Sequence, residues 1–481
     1  MSELLTPDIC VIGGGSGGLS VAAAAAAFGA SVVLVEKGRM GGECLNTGCV
    51  PSKALLAAAR HARAVAEARA FGIATRAVEV DFAKVREHVA GVVAAIAPND
   101  SKERFTALGV QVIEGAARFK DGATVVAGEG TEIRAGHFVI ATGSRPSLPP
   151  VPGLEAVPFL TNETVFELSA RPEHLLVLGA GPVGLELAQA FRRLGSEVSV
   201  LDTAEPLAGE DPECAAVVLD QLVREGVALK LGASIVRVEP VGEGRGARIR
   251  VVAREEGGEQ SILVSHLLAA AGRRPNVEDL GLEHAGIRYD GGGILVDHML
   301  RTANKRVYAI GDAAGGPQLT HAANYHAGIV VRNALFRLNA RVDADAIPRV
   351  TFTDPELAHV GLTEAEARRR GMRFQVLRWP YHENDRAQAE RATAGHIKVV
   401  VGRHGRILGC TIVGMAAGEL IAAWTLAVGE RLNVGAFGGM IVPYPTLTEI
   451  GKRAAMAYFT PVAANVWVRR IMALLRGKRR R

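Results

Sequence analysis

Apolar and polar positions follow one another in blocks, and the first block has the order strand, turn, helix, strand. Residues 9–12 are an apolar run that ends in glycine, residues 19–28 have a helical composition, and residues 31–35 are apolar and largely β-branched. Continuous apolar strands around a helix are typical of a parallel sheet that is buried on both faces. The pattern therefore predicts a βαβ unit at the start of the chain.

The same order of elements returns some 165 residues later, at residues 175–178, 183–194 and 198–201. Two such units predict two dinucleotide-binding domains, one inserted in the other. From about residue 346 a mixture of strands and helices predicts a separate α+β domain. A proline-rich stretch at 146–158 suits a crossing between domains. The remaining helices are predicted at 51–70, 82–108, 418–431 and 447–457, and the remaining strands at 111–126, 132–140, 263–271, 307–310, 374–379, 396–401 and 407–413.

Each βαβ unit carries three glycines that open its helix and an acid that ends the following strand. They are Gly13, Gly15, Gly18 and Glu36 in the first unit, and Gly179, Gly181, Gly184 and Asp202 in the second. The glycines allow a tight turn and close approach of the backbone to a pyrophosphate, and the acid accepts hydrogen bonds from a ribose. Asp202 would repel a ribose 2′-phosphate, and Thr203 and Ala204 supply no cation for it, so the sequence favours NADH over NADPH.

The net charge of +5 does not indicate a nucleic-acid partner, because the positive charge is concentrated at one end. Residues 466–481 carry seven cations and no acid, and without them the net charge falls from +5 to −2. No basic face with interleaved aromatic residues is evident elsewhere. An odd number of five cysteines in a long chain also argues against a secreted disulfide framework. Cys10, Cys214 and Cys410 lie in apolar or featureless surroundings and are interpreted as structural.

The uncharged stretch at residues 9–35 resembles a signal or transmembrane segment in composition alone. Glu3 and Asp8 stand where a signal peptide needs positive charge. The glycines in this stretch would also make a poor start for a lipid-facing helix. We therefore predict a cytoplasmic protein.

Cys44 and Cys49 follow the first βαβ unit directly, in the segment Gly-Gly-Glu-Cys-Leu-Asn-Thr-Gly-Cys-Val-Pro-Ser-Lys at residues 41–53. On a regular helix their Cα atoms would be about 8–9 Å apart, whereas a disulfide needs roughly 4.4–6.8 Å. If the two cysteines pair, the backbone must depart from regular helix, and Gly48 makes that easier. A redox pair is favoured over a metal pair, because no second cysteine or histidine pair accompanies it.

The segment 41–53 resembles the redox motif of the flavoprotein disulfide reductases, which include dihydrolipoamide dehydrogenase, glutathione reductase and mercuric reductase. The resemblance covers nearly the whole chain. Ala-Thr-Gly at 141–143, Gly-Arg-Arg-Pro-Asn at 272–276 and Ala-Ile-Gly-Asp at 309–312 match the family's domain-junction and flavin-contact motifs in order. Phe-Thr-Asp-Pro-Glu at 352–356 matches the start of its dimer-interface domain.

The resemblance implies an α/β fold with two Rossmann-like dinucleotide-binding domains, one inserted in the other, and a C-terminal α+β dimerisation domain. It also implies a homodimer that binds FAD and uses NAD(H). Together with the patterns above, it predicts segments 1–149 for the FAD domain, 150–270 for the NAD(H) domain, 271–345 for a central segment that completes the FAD domain, 346–465 for the interface domain and, from its composition alone, 466–481 for a basic amphipathic tail.

By the same resemblance, Cys49 is the thiol on the flavin side and Cys44 exchanges with substrate. Lys53 and Glu186 match a charged pair near the flavin's reactive nitrogen, and Asp312 would reach the ribityl chain. A thiolate at Cys49 would be stabilised by the oxidised flavin and a helix N-terminus. Besides the glycines and acids of the two loops, the predicted cofactor-binding residues are Lys53, Ala116, Thr142, Gly143, Gly272, Arg273, Gly311 and Asp312.

The substrate side departs from the family pattern. Members that act on thiols carry His-Pro-Thr-x-Ser-Glu, contributed across the dimer, in which the histidine is the general base and the glutamate orients it. Here residues 444–449 read Tyr-Pro-Thr-Leu-Thr-Glu, so Glu449 is kept and Tyr444 replaces the histidine. A tyrosine with a reference pKa near 10 is a poor base at neutral pH, and dihydrolipoamide turnover could be about 10²–10⁴-fold slower than in the family. His321, His326 and His382 are candidate substitutes, each interpreted as structural or exposed.

The favoured function is NAD(H)-linked redox chemistry on a small disulfide or dithiol, such as a lipoyl group on a carrier protein. Mercuric reductases also have tyrosine at this position, but they carry a C-terminal cysteine pair and an N-terminal metal-binding domain. Here no cysteine follows Cys410, and the first nucleotide fold starts at once. A diaphorase or quinone-type electron carrier and a flavin-bearing redox sensor or scaffold are further alternatives. No bound metal is predicted.

The C-terminal stretch could lie on an anionic membrane surface, or it could pack its apolar side on the interface domain and leave a frayed basic end. Its apolar residues are Trp467, Ile471, Met472, Leu474 and Leu475, and its cations are Arg469, Arg470, Arg476, Lys478, Arg479, Arg480 and Arg481.

Overall fold

The structure, a computed structural model, describes residues 4–461 and 465–478, and the chain divides into two compact units. The first unit comprises residues 1–205 and 227–342, and the second comprises residues 206–226 and 343–481. Residues 479–481 of the predicted basic tail lie outside the described residues. Over the described ranges, no helix is long and apolar enough to cross a bilayer.

The first unit begins with the predicted order of strand, helix and strand. A short strand, β1 (Leu4–Leu5), is followed by β2 (Ile9–Ile12), helix α1 (Ser16–Ala27) and β3 (Val32–Glu36). All four residues of β2 are buried, as the uninterrupted apolar run predicts for a strand covered on both faces.

The helical region that follows contains more breaks than its composition predicts. Its helices are α2 (Gly42–Asn46), α3 (Cys49–Glu67), α4 (Phe82–Ile96) and α5 (Lys102–Ala107). The predicted helix at 82–108 is interrupted by a 3₁₀ turn at Ala97–Asp100, and Ser101 caps α5 by accepting a hydrogen bond from the N–H of Arg104. Pro98 lies in that turn, and proline removes a helical hydrogen bond.

The predicted strands at 111–126 and 132–140 are each divided by turns. At the first break, Gly115 has φ of +140°, and a Cβ there would lie 2.6 Å from the Cα of Gly128. The chain must therefore turn at a residue without a side chain. The resulting strands are β4 (Val110–Glu114), β5 (Ala117–Phe119), β6 (Val125–Ala127), β7 (Thr131–Ile133) and β8 (His137–Ile140).

The second nucleotide fold follows the crossing strand β9 (Ser144–Pro146). Its parallel sheet has the order β12-β11-β10-β16. The strands between β12 and β16 in sequence form a separate antiparallel sheet in the order β13-β14-β15. These elements are β10 (His174–Leu178), α6 (Pro182–Arg193), β11 (Glu197–Asp202), α7 (Pro212–Arg224), β12 (Ala228–Leu231), β13 (Ser234–Val241), β14 (Arg248–Glu255), β15 (Gly258–Val264) and β16 (His266–Ala269).

The chain then returns to the first sheet, which confirms that one nucleotide fold is inserted in the other. Strand β17 (Arg273–Pro275) pairs antiparallel with β9, so the outgoing and returning segments lie side by side. After β18 (Tyr289–Asp290) and β19 (Gly293–Ile294), β20 (Val307–Ala309) completes a five-stranded parallel sheet in the order β20-β8-β2-β3-β4. Helix α8 (Thr320–Phe336) follows.

The second unit confirms the predicted α+β domain. Its antiparallel sheet has the order β21-β22-β25-β24-β23. Trp424 and Phe437 stack at 3.8 Å between ring centroids in its core. Its elements are β21 (Arg349–Thr351), β22 (Glu356–Gly361), α9 (Glu364–Arg369), β23 (Gln375–Pro380), α10 (Asp385–Ala389), β24 (His396–Val401), β25 (Ile407–Gly414), α11 (Ala417–Gly429), α12 (Val434–Gly439), α13 (Glu449–Ala457) and α14 (Val466–Lys478).

Helix α7 packs in the second unit although its sequence lies within the predicted NAD(H) domain. Lys398 of β24, only 3% exposed, places its Nζ 2.7 Å from Asp211 before α7 and 2.9 Å from Glu364 of α9. A buried ammonium with two carboxylate partners is compensated, and removing one partner would leave a costly unpaired charge. This cluster holds α7 to the sheet of the second unit.

Candidate active site

The two glycine loops have nearly the same backbone geometry. Gly13 has φ of +110°, and a Cβ there would lie 2.4 Å from the carbonyl oxygen of Ala141; for Gly179 the values are +112° and 2.3 Å from Ala270. In each fold, the glycine loop therefore lies close to the backbone of the residue that follows a neighbouring strand, Ala141 after β8 and Ala270 after β16. Only glycine fits such a position.

The following helix starts close against each loop. A Cβ on Gly18 would lie 1.9 Å from the oxygen of Gly13, and one on Gly184 would lie 2.0 Å from the oxygen of Gly179. Gly15 precedes α1 as its N-cap, Gly181 does so for α6, and neither helix start has a side-chain cap. Uncapped first-turn N–H groups on a bare glycine backbone fit the pyrophosphate of a dinucleotide.

The acid at the end of the second strand lies beside each loop. Glu36 accepts hydrogen bonds from the N–H groups of Gly14 at 2.5 Å and Gly38 at 2.6 Å. Asp202 accepts from the N–H of Ala180 at 2.6 Å. Both carboxylates thus stand next to the glycine turn, where a ribose attached to the pyrophosphate would reach them.

The junction motifs meet where the chain leaves and re-enters the first nucleotide fold. Thr142 donates from Oγ1 to the carbonyl of Asn276 at 2.7 Å, and the N–H of Asn276 donates to the carbonyl of Gly143 at 2.9 Å. The carbonyl of Gly272 accepts from Ser147 at 3.0 Å. Separately, the carbonyl of Ala116 accepts from the N–H of Gly128 at 3.0 Å, beside the edge of the sheet.

A polar chain links the flavin-contact motif to the cysteine segment. Asp312 accepts a short hydrogen bond from the hydroxyl of Ser144, which also accepts from Nε of Arg273 at 2.8 Å. Arg273 continues to Glu43, with Nη1 2.6 Å from Oε1, and Asn162 donates to the same oxygen at 2.7 Å. Burial raises the pKa of Glu43 although Arg273 opposes it.

This series of hydrogen bonds includes three residues that were not predicted from the sequence, namely Glu43, Ser144 and Asn162. Glu43 was within the recognised segment and precedes Cys44, but its partners Asn162 and Arg273 lie 119 and 230 residues away. Only the fold brings them together.

The backbone between the two cysteines departs from regular helix, as pairing of the two sulfurs would require. Helix α2 ends at Asn46, Gly48 has an irregular conformation, and α3 begins at Cys49. A Cβ on Gly48 would lie 3.4 Å from the Cα of Cys44, so the segment folds back tightly. Both cysteines are free thiols, Cys44 half-buried and Cys49 exposed.

Cys49 is placed to be a thiolate. Its Sγ lies 3.3 Å from Oγ1 of Thr320, the first residue of α8. A hydrogen bond from Cys44 is the largest influence that lowers the pKa of Cys49 to about 5, assisted by Thr320 and the charge of Lys53. Its place in the first turn of α3 adds the favourable end of the helix dipole.

Cys44 shows the opposite behaviour. Its hydrogen bond to Cys49, followed by burial, raises the pKa of the Cys44 thiol. The two shifts therefore favour a thiolate on Cys49 and a protonated thiol on Cys44. Thr320 was missed by sequence reasoning; the only available signal was a hydroxyl residue shortly after the Gly311-Asp312 motif.

Lys53 and Glu186 form the ion pair that the family resemblance implies. Lys53 lies one helical turn after Cys49 on α3, and its Nζ is 2.8 Å from Oε2 of Glu186 on α6. The glutamate side chain is 6% exposed and that of the lysine 37%. The pair thus joins a helix of the first nucleotide fold to a helix of the inserted one.

Tyr444 and Glu449 belong to the second unit. Tyr444 is 70% exposed and donates from Oη to Oδ2 of Asp385 at 2.8 Å. That hydrogen bond, together with the charge of Asp385, raises the pKa of Tyr444. Glu449 is the half-buried first residue of α13.

The three candidate histidines lie in different settings. His326 is buried in α8, and its Nδ1 accepts from the N–H of Gly311 at 3.2 Å, so it supports the flavin-contact motif. Burial lowers its pKa. His321 and His382 are exposed.

Cys10, Cys214 and Cys410, which are interpreted as structural from the sequence, are all buried. Burial raises the pKa of the Cys10 thiol to about 12 and also raises the pKa of Cys214 and Cys410. Within the described residues, no group of three or more histidine, cysteine or acidic side chains is arranged to hold a metal ion.

Comparison with known proteins agrees with this geometry. The chain is 37% identical over 464 residues to mercuric reductase from Streptomyces lividans, covering 95% of this chain and 97% of the relative. It is 38% identical over 470 residues to dihydrolipoyl dehydrogenase from Thermus scotoductus, covering 94% and 97%. The flavoprotein disulfide reductase RclA from Escherichia coli, solved as a Cu(II) complex, superposes with a TM-score of 0.82 at 27% identity, covering 95% of this chain and 100% of that one.

Two family descriptions cover most of the sequence. Pyridine nucleotide-disulphide oxidoreductase matches residues 7–327, and the dimerisation domain of the same family matches residues 347–455. The chain therefore belongs to the pyridine nucleotide-disulphide oxidoreductases, enzymes that contain FAD and use a nicotinamide dinucleotide.

Proposed function

We propose that the enzyme passes electrons between NAD(H) and a small disulfide or dithiol through Cys44 and Cys49. The observation that carries this is the position of Cys49 at the start of α3, with its Sγ 3.3 Å from Oγ1 of Thr320 and Lys53 one helical turn further on. The pKa of Cys49 is lowered to about 5, whereas that of Cys44 is raised. A stable thiolate beside a protonated thiol is the state that a two-electron-reduced disulfide must reach.

Bound FAD would supply the coupling between hydride transfer from the nicotinamide and reduction of the disulfide. Reduction by two electrons breaks the S–S bond and, with one proton, leaves a thiolate on Cys49 and a thiol on Cys44. After losing its proton, Cys44 attacks a substrate disulfide and forms a mixed disulfide, while one substrate sulfur departs and takes up a proton. Cys49 then displaces the second substrate sulfur, which is protonated, and the Cys44–Cys49 disulfide is restored. A dithiol substrate is oxidised by the reverse sequence.

The proton of Cys44 is the weak point of this scheme. The family's histidine is replaced by Tyr444, whose pKa is raised by Asp385 rather than lowered. A phenol that donates to a carboxylate is a poor general base at neutral pH. When dihydrolipoamide is oxidised, the same base has to take the proton of the substrate thiol that attacks Cys44, and we therefore expect turnover at a rate limited by removal of that proton.

Anaerobic titration tests the proposal. The purified yellow enzyme is titrated with NADH and, separately, with dihydrolipoamide, while the long-wavelength thiolate–flavin charge-transfer band is recorded. Both reductants should produce the band in the wild type, and neither should produce it in Cys49→Ser. If NADH only bleaches the flavin and dihydrolipoamide has no effect, the disulfide function is wrong and a diaphorase or quinone-type electron carrier takes its place.

NADH is proposed as the preferred nucleotide. Asp202 is fixed beside the second glycine loop by the N–H of Ala180, and its charge would repel a 2′-phosphate. Steady-state KM values for NADH and NADPH with the same acceptor test the choice. A lower KM for NADPH would contradict it.

Reduction of Hg(II) is the second candidate function, favoured by Tyr444 and by relatives named mercuric reductase. Two adjacent thiol groups are soft ligands for such an ion, and two electrons from NADH would give elemental mercury, NAD⁺ and a proton. Release of mercury vapour with NADH, lost in both Cys44→Ser and Cys49→Ser, would support it. The absence of vapour from an enzyme that turns over dihydrolipoamide would exclude it.

A further inference from the structure

Helix α14 presents an apolar face that the rest of the described chain leaves exposed. Trp467 is 69% exposed, Ile471 55%, Leu474 70% and Leu475 56%. With 3.6 residues per turn, these four side chains fall on one side of the helix. The predicted alternative, in which this side packs on the interface domain, is not what the structure shows for residues 466–476.

The opposite side of α14 carries arginines, with the exposed Met472 beside them. Arg469 and Arg476 lie about two helical turns apart on that side, and both are exposed. Arg470 stands at the boundary of the two faces, with its guanidinium 5.2 Å from the centre of the Trp467 ring. From residue 466 to 481 the sequence has seven cations and no acid, whereas the remainder of the chain has a net charge of −2.

This combination selects one class of partner. We infer that α14 docks on the surface of an anionic phospholipid bilayer, with its apolar face at the level of the acyl-chain boundary and its arginines at the phosphates. A tryptophan flanked by arginines suits that interface, because the ring is apolar with a polar N–H and the guanidinium binds phosphate. The helix lies on the membrane, since no described helix is long and apolar enough to span one.

The helix also lies beyond the residues that the dimerisation-domain description matches. The match to the dimerisation domain ends at residue 455, before α14 begins at Val466. Charge complementarity favours lipid over a second copy of this chain, because the remainder of a second copy carries a net charge of only −2 and its own α14 would repel. A membrane supplies a dense anionic surface and an apolar layer together.

Cosedimentation of the FAD-loaded, full-length enzyme with vesicles tests this. The probes are vesicles of phosphatidylglycerol mixed with phosphatidylcholine, and vesicles of phosphatidylcholine alone. Partitioning should be at least about 10-fold stronger on the anionic vesicles and should fall when salt is raised. Emission of Trp467 should shift to the blue on binding, and Trp467→Phe should remove that shift.

Paired variants separate the two faces. The double variant Ile471→Asn with Leu474→Asn keeps the charge and removes apolar area. The double variant Arg469→Gln with Arg476→Gln keeps the apolar area and removes two positive charges. Each should weaken partitioning at least about 10-fold. Arg368→Gln with Arg369→Gln, on exposed positions of α9, is the matched control and should partition like the wild type. NADH-dependent reduction of ferricyanide should be unchanged in every variant, because α14 lies outside the cofactor loops.

Three results would overturn the inference. Equal partitioning of wild type and variants would do so, as would a lower oligomeric mass of the asparagine pair without vesicles, which would assign the apolar face to a second copy. Binding of duplex DNA that only the glutamine pair weakens would make the helix a nucleic-acid contact.

Discussion

The Cys44–Cys49 segment is expected to transfer electrons and the Tyr444–Glu449 segment to transfer protons. The two segments differ in how well the surrounding groups stabilise the reactive form of the side chain. Around Cys49, the hydrogen bond from Cys44, the hydroxyl of Thr320, the charge of Lys53 and the N-terminus of α3 all favour the thiolate. Around Tyr444, Asp385 accepts the hydrogen bond of the phenol and favours its protonated form.

The difference separates electron transfer from proton transfer. The thiolate is stabilised by groups within one unit, so its state does not depend on the identity of the substrate. The residue in the place of the general base has a raised pKa and a different side chain from the family pattern. The groups around Cys49 therefore support electron transfer through a thiolate, whereas the residue at position 444 does not identify the substrate.

Cys49→Ser should abolish the disulfide chemistry. Because Cys49 is the sulfur that leaves as the stabilised thiolate when dihydrolipoamide attacks Cys44, dihydrolipoamide turnover should fall at least about 10³-fold. Reduction of ferricyanide by NADH should persist within about 3-fold, because it needs no disulfide. Steady-state assays on both acceptors check this. Cys44→Ser is the matched control: it should lose dihydrolipoamide turnover as well, but keep a thiolate at residue 49.

Tyr444→His should speed the proton-transfer step. An imidazole has a reference pKa near 6.5 and can accept a thiol proton at neutral pH, so kcat with dihydrolipoamide should rise about 10–10²-fold. Tyr444→Phe, which keeps the ring and removes the hydroxyl, should stay within about 3-fold of the wild type. A histidine variant no faster than the wild type would show that proton removal does not limit turnover.

Lys53→Met and Glu186→Gln should move the thiolate in opposite directions. The charge of Lys53 lowers the pKa of Cys49 and that of Glu186 raises it. The first substitution should raise that pKa by about 1 unit, and the second should lower it by less. The pH dependence of alkylation of Cys49 measures both. Lys84→Met, on an exposed position of α4, should leave the pKa unchanged, and equal shifts in all three variants would contradict the account.

Asp202→Asn should give the smallest effect. The amide keeps an acceptor for the N–H of Ala180 but removes the charge that opposes a 2′-phosphate. The ratio of kcat/KM for NADPH to that for NADH should rise about 5–10-fold. Glu205→Gln, at the exposed neighbouring acid, is the control. An unchanged ratio would mean that nucleotide choice is made elsewhere.

Much of the fold could be predicted from sequence because periodicity and glycine are local signals. The strand at 9–12 and the glycines at 13 and 179 have the structure that their patterns predict. Breaks such as the one at Ser101 were missed, since helical composition does not reveal where a chain turns. The placement of α7 in the second unit was missed because the buried pairing of Lys398 with Asp211 joins residues far apart in the chain.

The candidate site divides in the same way. The break between the two cysteines and the position of Cys49 in a first helical turn follow from Gly48 and the recognised motif. Thr320, Asn162 and Ser144 could not be found by local reasoning, because each contacts a partner more than 100 residues away. The exposure of the apolar face of α14 was likewise open until the structure showed what the chain leaves uncovered.

The most direct test of the central claim is the pH dependence of alkylation of the enzyme reduced anaerobically with NADH, with the labelled cysteine identified by mass spectrometry. The thiolate is present above the pKa and is lost as the pH falls through it. We predict that Cys49 reacts first and that its labelling declines only as the pH falls through about 5. Labelling that begins at Cys44, or that declines already below about pH 8.5 as for an ordinary thiol, would contradict the account.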